Sequence, residues 1–212
     1  MRIDIWSDVV CPWCFLGKRR FERAVTGLGG DVSVEVRWRA FRLDPRATTA
    51  PADLRTSIER KYGAGAFDGM VGRLTALGRE EGIDYRFDRA VRVTTVDAHR
   101  LVAWAWDTGG TAAQTALVER LFVAYFEEGA NVADHEQLAA QAAQAGLDPG
   151  EAADVLGSDR YRSDVEADLA AASERQLTGV PAFVVEDRLL IPGAQDVETF
   201  RQVIVRAAER FA

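Results

Sequence analysis

Two cysteines and two histidines are all that 212 residues contain. So few cysteines exclude the disulfide framework that staples small secreted domains. His99 and His135 lack the close spacing of a zinc-binding pair, and a two-cysteine half-site would need two further ligands. Lysine is as scarce, at Lys18 and Lys61 only; the remaining basic residues are arginine, which reads as coding bias and not as a phosphate-binding design. A formal charge of −7 argues against nucleic acid as the main partner, because phosphate binding needs a basic face. No run approaches the roughly 20 apolar residues of a membrane-spanning helix. The segment Met1–Trp6 carries Asp4 inside its apolar run and reaches the cysteines without a cleavage site. The expectation is a cytoplasmic protein with no membrane partner. In a reducing compartment a lone cysteine pair is catalytic or metal-binding sooner than a structural staple.

Both cysteines stand in one motif, Cys11-Pro12-Trp13-Cys14. Thiols three positions apart can close a small disulfide ring, and across the first turn of a helix they can do so reversibly. Cys14, Gly17, Phe21, Val25 and Leu28 recur at three- and four-residue steps after it, an amphipathic helix that ends near Gly27–Gly30. This phase puts Cys14 on the buried stripe and leaves Cys11 exposed ahead of the first turn. Pro12 suits that turn, where its missing N–H costs nothing. The helix dipole and free amides favour negative charge on a sulfur at Cys11, the attacking thiol, while Cys14 is placed to resolve a mixed disulfide. Trp13 can shield the sulfurs and offer an apolar contact.

Around the motif, Ile3 and Ile5 alternate with Arg2 and Asp4 as in a short strand, and Val32 to Ala40 alternates as a second. From Pro51 to Ser158 no strand is evident. Helices are expected over Asp97–Trp106, from a capping box at Thr111–Gln114 through Tyr125, and from Asp134 to about Gln144, before a turn at Gly146–Pro149. A long helix over Ser158–Gln176, a hairpin around Asp187-Arg188 and a final helix through Val197–Phe211 complete the chain. The reading is an α/β fold interrupted by an all-helical insertion: 1–44, then 45–158, then 159–212. Asp8 is expected to make turn hydrogen bonds. His99 shares a helical face with Val102 and Trp106, as a hydrogen-bonded interface histidine or, alternatively, a member of the substrate site.

A strand, a Cys-Pro-Trp-Cys helix, a helical insertion and Gly179-Val180-Pro181 before a hairpin resemble the DsbA-like branch of the thioredoxin superfamily. Asp8–Cys14, Phe41-Arg42-Leu43-Asp44-Pro45, Ala98-His99-Arg100-Leu101 and Gly193-Ala194-Gln195 are similar to its cytoplasmic FrnE-like group. The resemblance implies a thioredoxin-like fold and a cis Val180–Pro181 bond facing the cysteines, where only X–Pro takes cis cheaply. It implies a thiol–disulfide oxidoreductase in which Cys11 attacks, Cys14 resolves, and Pro12, Trp13, Val180 and Pro181 meet the substrate. No metal, flavin or nucleotide is implied; the redox group is the protein's own disulfide, with glutathione a possible co-substrate. Protein or small thiols are the expected partners, with monomer and homodimer both open. The alternative is a glutathione-dependent isomerase or transferase, like the related 2-hydroxychromene-2-carboxylate isomerases and kappa-class glutathione transferases. Those relatives usually carry serine at the position of Cys11 and lack the second cysteine.

Overall fold

The computed structural model describes residues 1–30 and 32–211. In chain order the elements are β1 (Arg2–Ser7), α1 (Pro12–Thr26), β2 (Glu35–Ala40), β3 (Ala52–Asp53), α2 (Leu54–Tyr62), α3 (Ala66–Glu80), β4 (Val91–Arg92) and α4 (Val96–Val123). A π-helical turn (Ala124–Glu128) leads to α5 (His135–Gln144), α6 (Pro149–Leu156), α7 (Arg162–Glu174), β5 (Ala182–Val185), β6 (Leu189–Pro192) and α8 (Val197–Phe211).

The central sheet has the order β2-β1-β5-β6. β1 and β2 run parallel, in register from Arg2–Glu35 to Ser7–Ala40, with α1 as their crossover. β5 and β6 are an antiparallel hairpin added to the other side of β1. On one face, Phe21 of α1 packs on Phe183 of β5 and Phe200 of α8, with ring centroids 5.2 and 5.7 Å away. On the other, the Trp6 indole N–H donates to the Asp168 carbonyl of α7 at 3.0 Å.

The strand expected around Ile3 and Ile5 forms, and it is covered on both faces. Asp4 is buried as deeply as its apolar neighbours, because α7 closes over the polar face. Its carboxylate is held by Arg2 at 2.9 Å and Arg39 at 2.7 Å, and Arg39 also reaches Asp168 at 3.1 Å. Burial raises the Asp168 pKa, and the Ala40 amide and Arg39 oppose the rise.

The core does not divide where the helical segment begins. Phe15 of α1 stacks on Phe122 of α4 at 5.1 Å, and both are fully buried. Truncating a phenylalanine so placed costs about 3–5 kcal/mol. Lys18, also buried, forms 2.7 Å ion pairs with Glu22 and with Glu119 of α4.

Four expectations are corrected. β3 and β4 form a two-residue antiparallel ladder inside the segment expected to be wholly helical. The second strand starts at Glu35 and not at Val32. The helices expected around Trp106 and Thr111 both form, joined as α4 across a kink at Gly109-Gly110, where the Gly110 φ of 60° favours glycine. No capping box forms there. The Thr111 hydroxyl donates to the Val36 carbonyl at 2.8 Å, while the Gln114 amide both accepts from Trp38 N–H (2.7 Å) and donates to its carbonyl (3.1 Å). Gln114 thus pairs the outer edge of β2 as a neighbouring strand would. Finally, Pro149 starts a helix instead of closing a turn. It occupies the first position of α6 behind the Asp148 cap, and α7 begins only at Arg162.

Candidate active site

Cys11 is the N-cap of α1 and Pro12 its first residue. The Cys11 carbonyl accepts from Cys14 N at 3.0 Å and Phe15 N at 3.3 Å, so its sulfur stands at the helix N-terminus. Cys14, one turn on, faces inward with no exposed surface. Both are free thiols within hydrogen-bonding reach of each other. Burial pushes the Cys14 pKa well above the ordinary thiol value. The hydrogen bond with Cys11 and the charge of its sulfur add to the rise, which Ser7 and the Asp8 backbone oppose.

The Val180–Pro181 peptide is cis, and its loop stands over this helix end. The Val180 carbonyl lies 3.7 Å from Cys11 Sγ. Pro181 packs against α1 at Gly17, where a Cβ would come within 3.0 Å of the proline ring. This cover corrects one expectation: Cys11 is not exposed but retains only 3% of its surface. Sequence periodicity reports the phase of a helix and carries no information about a loop arriving 169 residues later. Pro12, Trp13 and Val180 are half-buried around the sulfur, and the Arg73 guanidinium sits 5.1 Å from the Trp13 ring.

Asp8 and His99 lie behind the cysteines. The Asp8 carbonyl accepts from Cys11 N at 2.9 Å and its carboxylate accepts from Leu43 N at 2.8 Å. The other carboxylate oxygen is buried, 3.5 Å from His99 Nε2 and without a hydrogen bond. His99 Nε2 is 2.9 Å from the Phe41 carbonyl, so this nitrogen carries the proton and donates. With 4% of its surface exposed, His99 braces the Asp8 and Phe41 loops from inside. His135 lies apart, 2.9 Å from Asp97. Among the described residues, no group of three His, Cys, Asp or Glu side chains is placed to hold a metal ion. Nor, among them, is any helix long and apolar enough to cross a membrane.

The sequence matches the DSBA-like thioredoxin domain over residues 2–205. The chain belongs to the DsbA-like thioredoxin family. It is 35% identical to a probable DsbA oxidoreductase of Streptomyces coelicolor whose crystal structure superposes with a TM-score of 0.90, covering 99% of this chain and 90% of that one. It is 28% identical, over 96% of both chains, to YwbO, an uncharacterized protein of Bacillus subtilis (strain 168). Two more distant structures share the fold. A 2-hydroxychromene-2-carboxylate isomerase is 17% identical with a TM-score of 0.72, covering 100% and 98% of the two chains. The cytosolic disulfide reductase DsbM of Pseudomonas aeruginosa is 18% identical with a TM-score of 0.71, covering 100% of each.

One residue of the DsbA-like site escaped the sequence reading. The Tyr85 hydroxyl donates to the Pro12 carbonyl at 2.5 Å, tying the helical segment to the first turn of α1. Its pKa is raised, first by burial and then by the charges of Cys11 and Cys14, so it faces the thiols as a neutral phenol. The ring stacks on Phe87 and crosses Phe15 and Phe126 edge-on. Gly78 makes room for it, since a Cβ there would lie 2.6 Å from the ring. A glycine inside the α3 pattern, one of three there, was the available hint of such a close approach.

The raised Cys14 pKa sets a pH dependence. Thiolate is the attacking form of a thiol, so a protonated Cys14 would attack a mixed disulfide at Cys11 only slowly at neutral pH. Once Cys11 is tied up in the mixed disulfide its charge is gone, but burial, the larger cause, remains. The resolution rate should rise about tenfold per pH unit through neutrality. Stopped-flow release of the second thiol checks this; a plateau at or below neutral pH would contradict it.

Proposed function

We propose that this DsbA-like protein is a cytoplasmic thiol–disulfide oxidoreductase working through a reversible Cys11–Cys14 disulfide. The observation that carries the reading is the placement of two free thiols in mutual reach at the N-terminus of α1, one at the helix end and one wholly enclosed. In the oxidising direction for the protein, the Cys11 thiolate attacks a substrate disulfide and releases one thiolate. Cys14 then attacks the Cys11 sulfur and expels the second, so two electrons pass to the substrate. The reverse sequence oxidises a substrate dithiol.

Pro12, Trp13, Val180 and Pro181 frame the approach. An extended substrate segment would take over the backbone contact that Val180 now makes with Cys11. A groove of about 300 Å³ continues from this loop along Thr178, Gly179, Leu190 and Pro192. His99 serves as a brace behind the site. The redox group is the protein's own disulfide, and the partners are protein or small thiols. Glutathione is a reasonable co-substrate, since DsbM has been crystallised with it.

The glutathione-dependent isomerase reading shares the fold but has no use for an enclosed second thiol. Mixing the reduced protein with oxidised glutathione separates the two. The oxidoreductase releases two equivalents of glutathione and loses both free thiols to an internal disulfide. Glutathione held without covalent change, both protein thiols remaining free, would favour the isomerase.

A further inference from the structure

A cavity of about 600 Å³ opens between the loop after β2, helix α2 and strand β4. Its size suits one small organic molecule. Val10, the residue before Cys11, and Tyr125 form part of its wall. The Tyr125 hydroxyl donates to the Val91 carbonyl at 2.8 Å, and burial raises its pKa, so this wall is uncharged. The mouth carries Leu43 and Tyr62, two of the three large apolar side chains most exposed among the described residues.

The charge of the lining is opposite to that of the chain. The protein carries −7 overall, whereas Arg46, Arg60, Lys61 and Arg92 meet a single carboxylate here, that of Asp44. Arg92 and Asp44 satisfy each other at 2.6 Å. Arg46, Arg60 and Lys61 have no carboxylate within ion-pair distance among the described residues. Lys61 lies over the Tyr62 ring at 5.1 Å, and the three cations around an apolar hollow, free of carboxylate ion pairs among the described residues, are complementary to a molecule with an apolar body and one anionic end.

We infer that this cavity binds a small organic carboxylate, its anion at Arg46, Arg60 and Lys61 and its apolar body against Leu43, Ile58 and Tyr125. Resting on the oxidoreductase reading, the inference names the class of small substrate: a disulfide or thiol with an aromatic or alkyl body bearing a carboxylate. Val10 in the cavity wall is the residue before Cys11, which places such a substrate next to the segment that carries this thiol, and the exchange follows the two-step course given above.

The test separates binding from chemistry. Calorimetry on the Cys11→Ser/Cys14→Ser variant, which has no thiol, uses 4-phenylbutyrate and its uncharged amide as probes. The carboxylate should bind one-to-one, and the amide at least roughly tenfold more weakly. Arg60→Glu/Lys61→Glu should weaken the carboxylate by a similar factor. Both positions are exposed at the end of α2, and Arg46→Glu in the preceding loop gives an independent check. Equal affinity for the two probes, or no effect of charge reversal, would overturn the inference even if disulfide exchange is intact. With the thiols present, the rate ratio between 5,5′-dithiobis(2-nitrobenzoate) and uncharged 4,4′-dithiodipyridine should fall at least roughly tenfold in the charge-reversed variant. An unchanged ratio would overturn the cavity as a substrate site. Loss of exchange with probe binding retained would sink the oxidoreductase reading alone.

Discussion

Replacing Cys14 with serine should lower disulfide turnover by on the order of 10³-fold or more and leave the protein covalently joined to its substrate through Cys11. The magnitude follows from enclosure. Cys14 is held within reach of the Cys11 sulfur and has no exposed surface, so its attack is intramolecular and pre-oriented. A thiol from solution at about 1 mM lacks that advantage of effective concentration by several orders of magnitude. It must also reach a sulfur that the Val180–Pro181 loop leaves 3% exposed. Intact-mass measurement should show the mixed disulfide accumulating in Cys14→Ser and not in the wild type. A glutathione-dependent isomerase would keep most of its activity in the same variant. Undiminished turnover would therefore remove the resolving role from Cys14.

The second large effect is on stability. Arg100→Met should destabilise the fold by about 3–5 kcal/mol, with a drop in melting temperature on the order of 10 °C. The Arg100 side chain is buried in α4 and spends its donors on the connection between α6 and α7. Its Nε donates to the Arg160 carbonyl at 2.8 Å and Nη1 to Asp97 at 2.8 Å, while Nη2 meets the carbonyls of Val155 and Ser158. Methionine fills a similar volume but leaves the three carbonyls without their donor and the Asp97 carboxylate with His135 as its remaining partner. Chemical denaturation of the reduced protein measures the loss; a change below about 1 kcal/mol would mean that water replaces the guanidinium at little cost.

Arg100 also marks how far the sequence could be read. It lies in the segment Ala98–Leu101 that supported the family resemblance, yet no spacing rule says that an arginine there caps a helix some 55 residues away. Local patterns were legible: the helix opened by Pro12, the hairpin at Asp187-Arg188, the helix from Asp134 and the final amphipathic helix all form where periodicity and turn chemistry put them. Misreadings occurred where a local signal admits two outcomes. Pro149 after Asp148 suits a turn or the first turn of a helix, and tertiary packing of Val155 and Leu156 selects the helix. At the site, the motif and the inward phase of Cys14 were readable. The loop facing the cysteines came only with the family resemblance, and a hydrogen-bonded interface His99 was one of two readings; the near-complete cover of Cys11 and the Tyr85 bond to Pro12 were not legible, since each joins residues distant in sequence.

The most direct test of the central claim is the equilibrium between the purified protein and graded mixtures of reduced and oxidised glutathione, read by intact mass and tryptophan fluorescence. The account predicts a single two-electron transition to a Cys11–Cys14 disulfide, with a midpoint in the range of roughly −270 to −120 mV spanned by related two-cysteine proteins. A protein that retains both free thiols at every ratio, or stops at a glutathione adduct on Cys11, would contradict it.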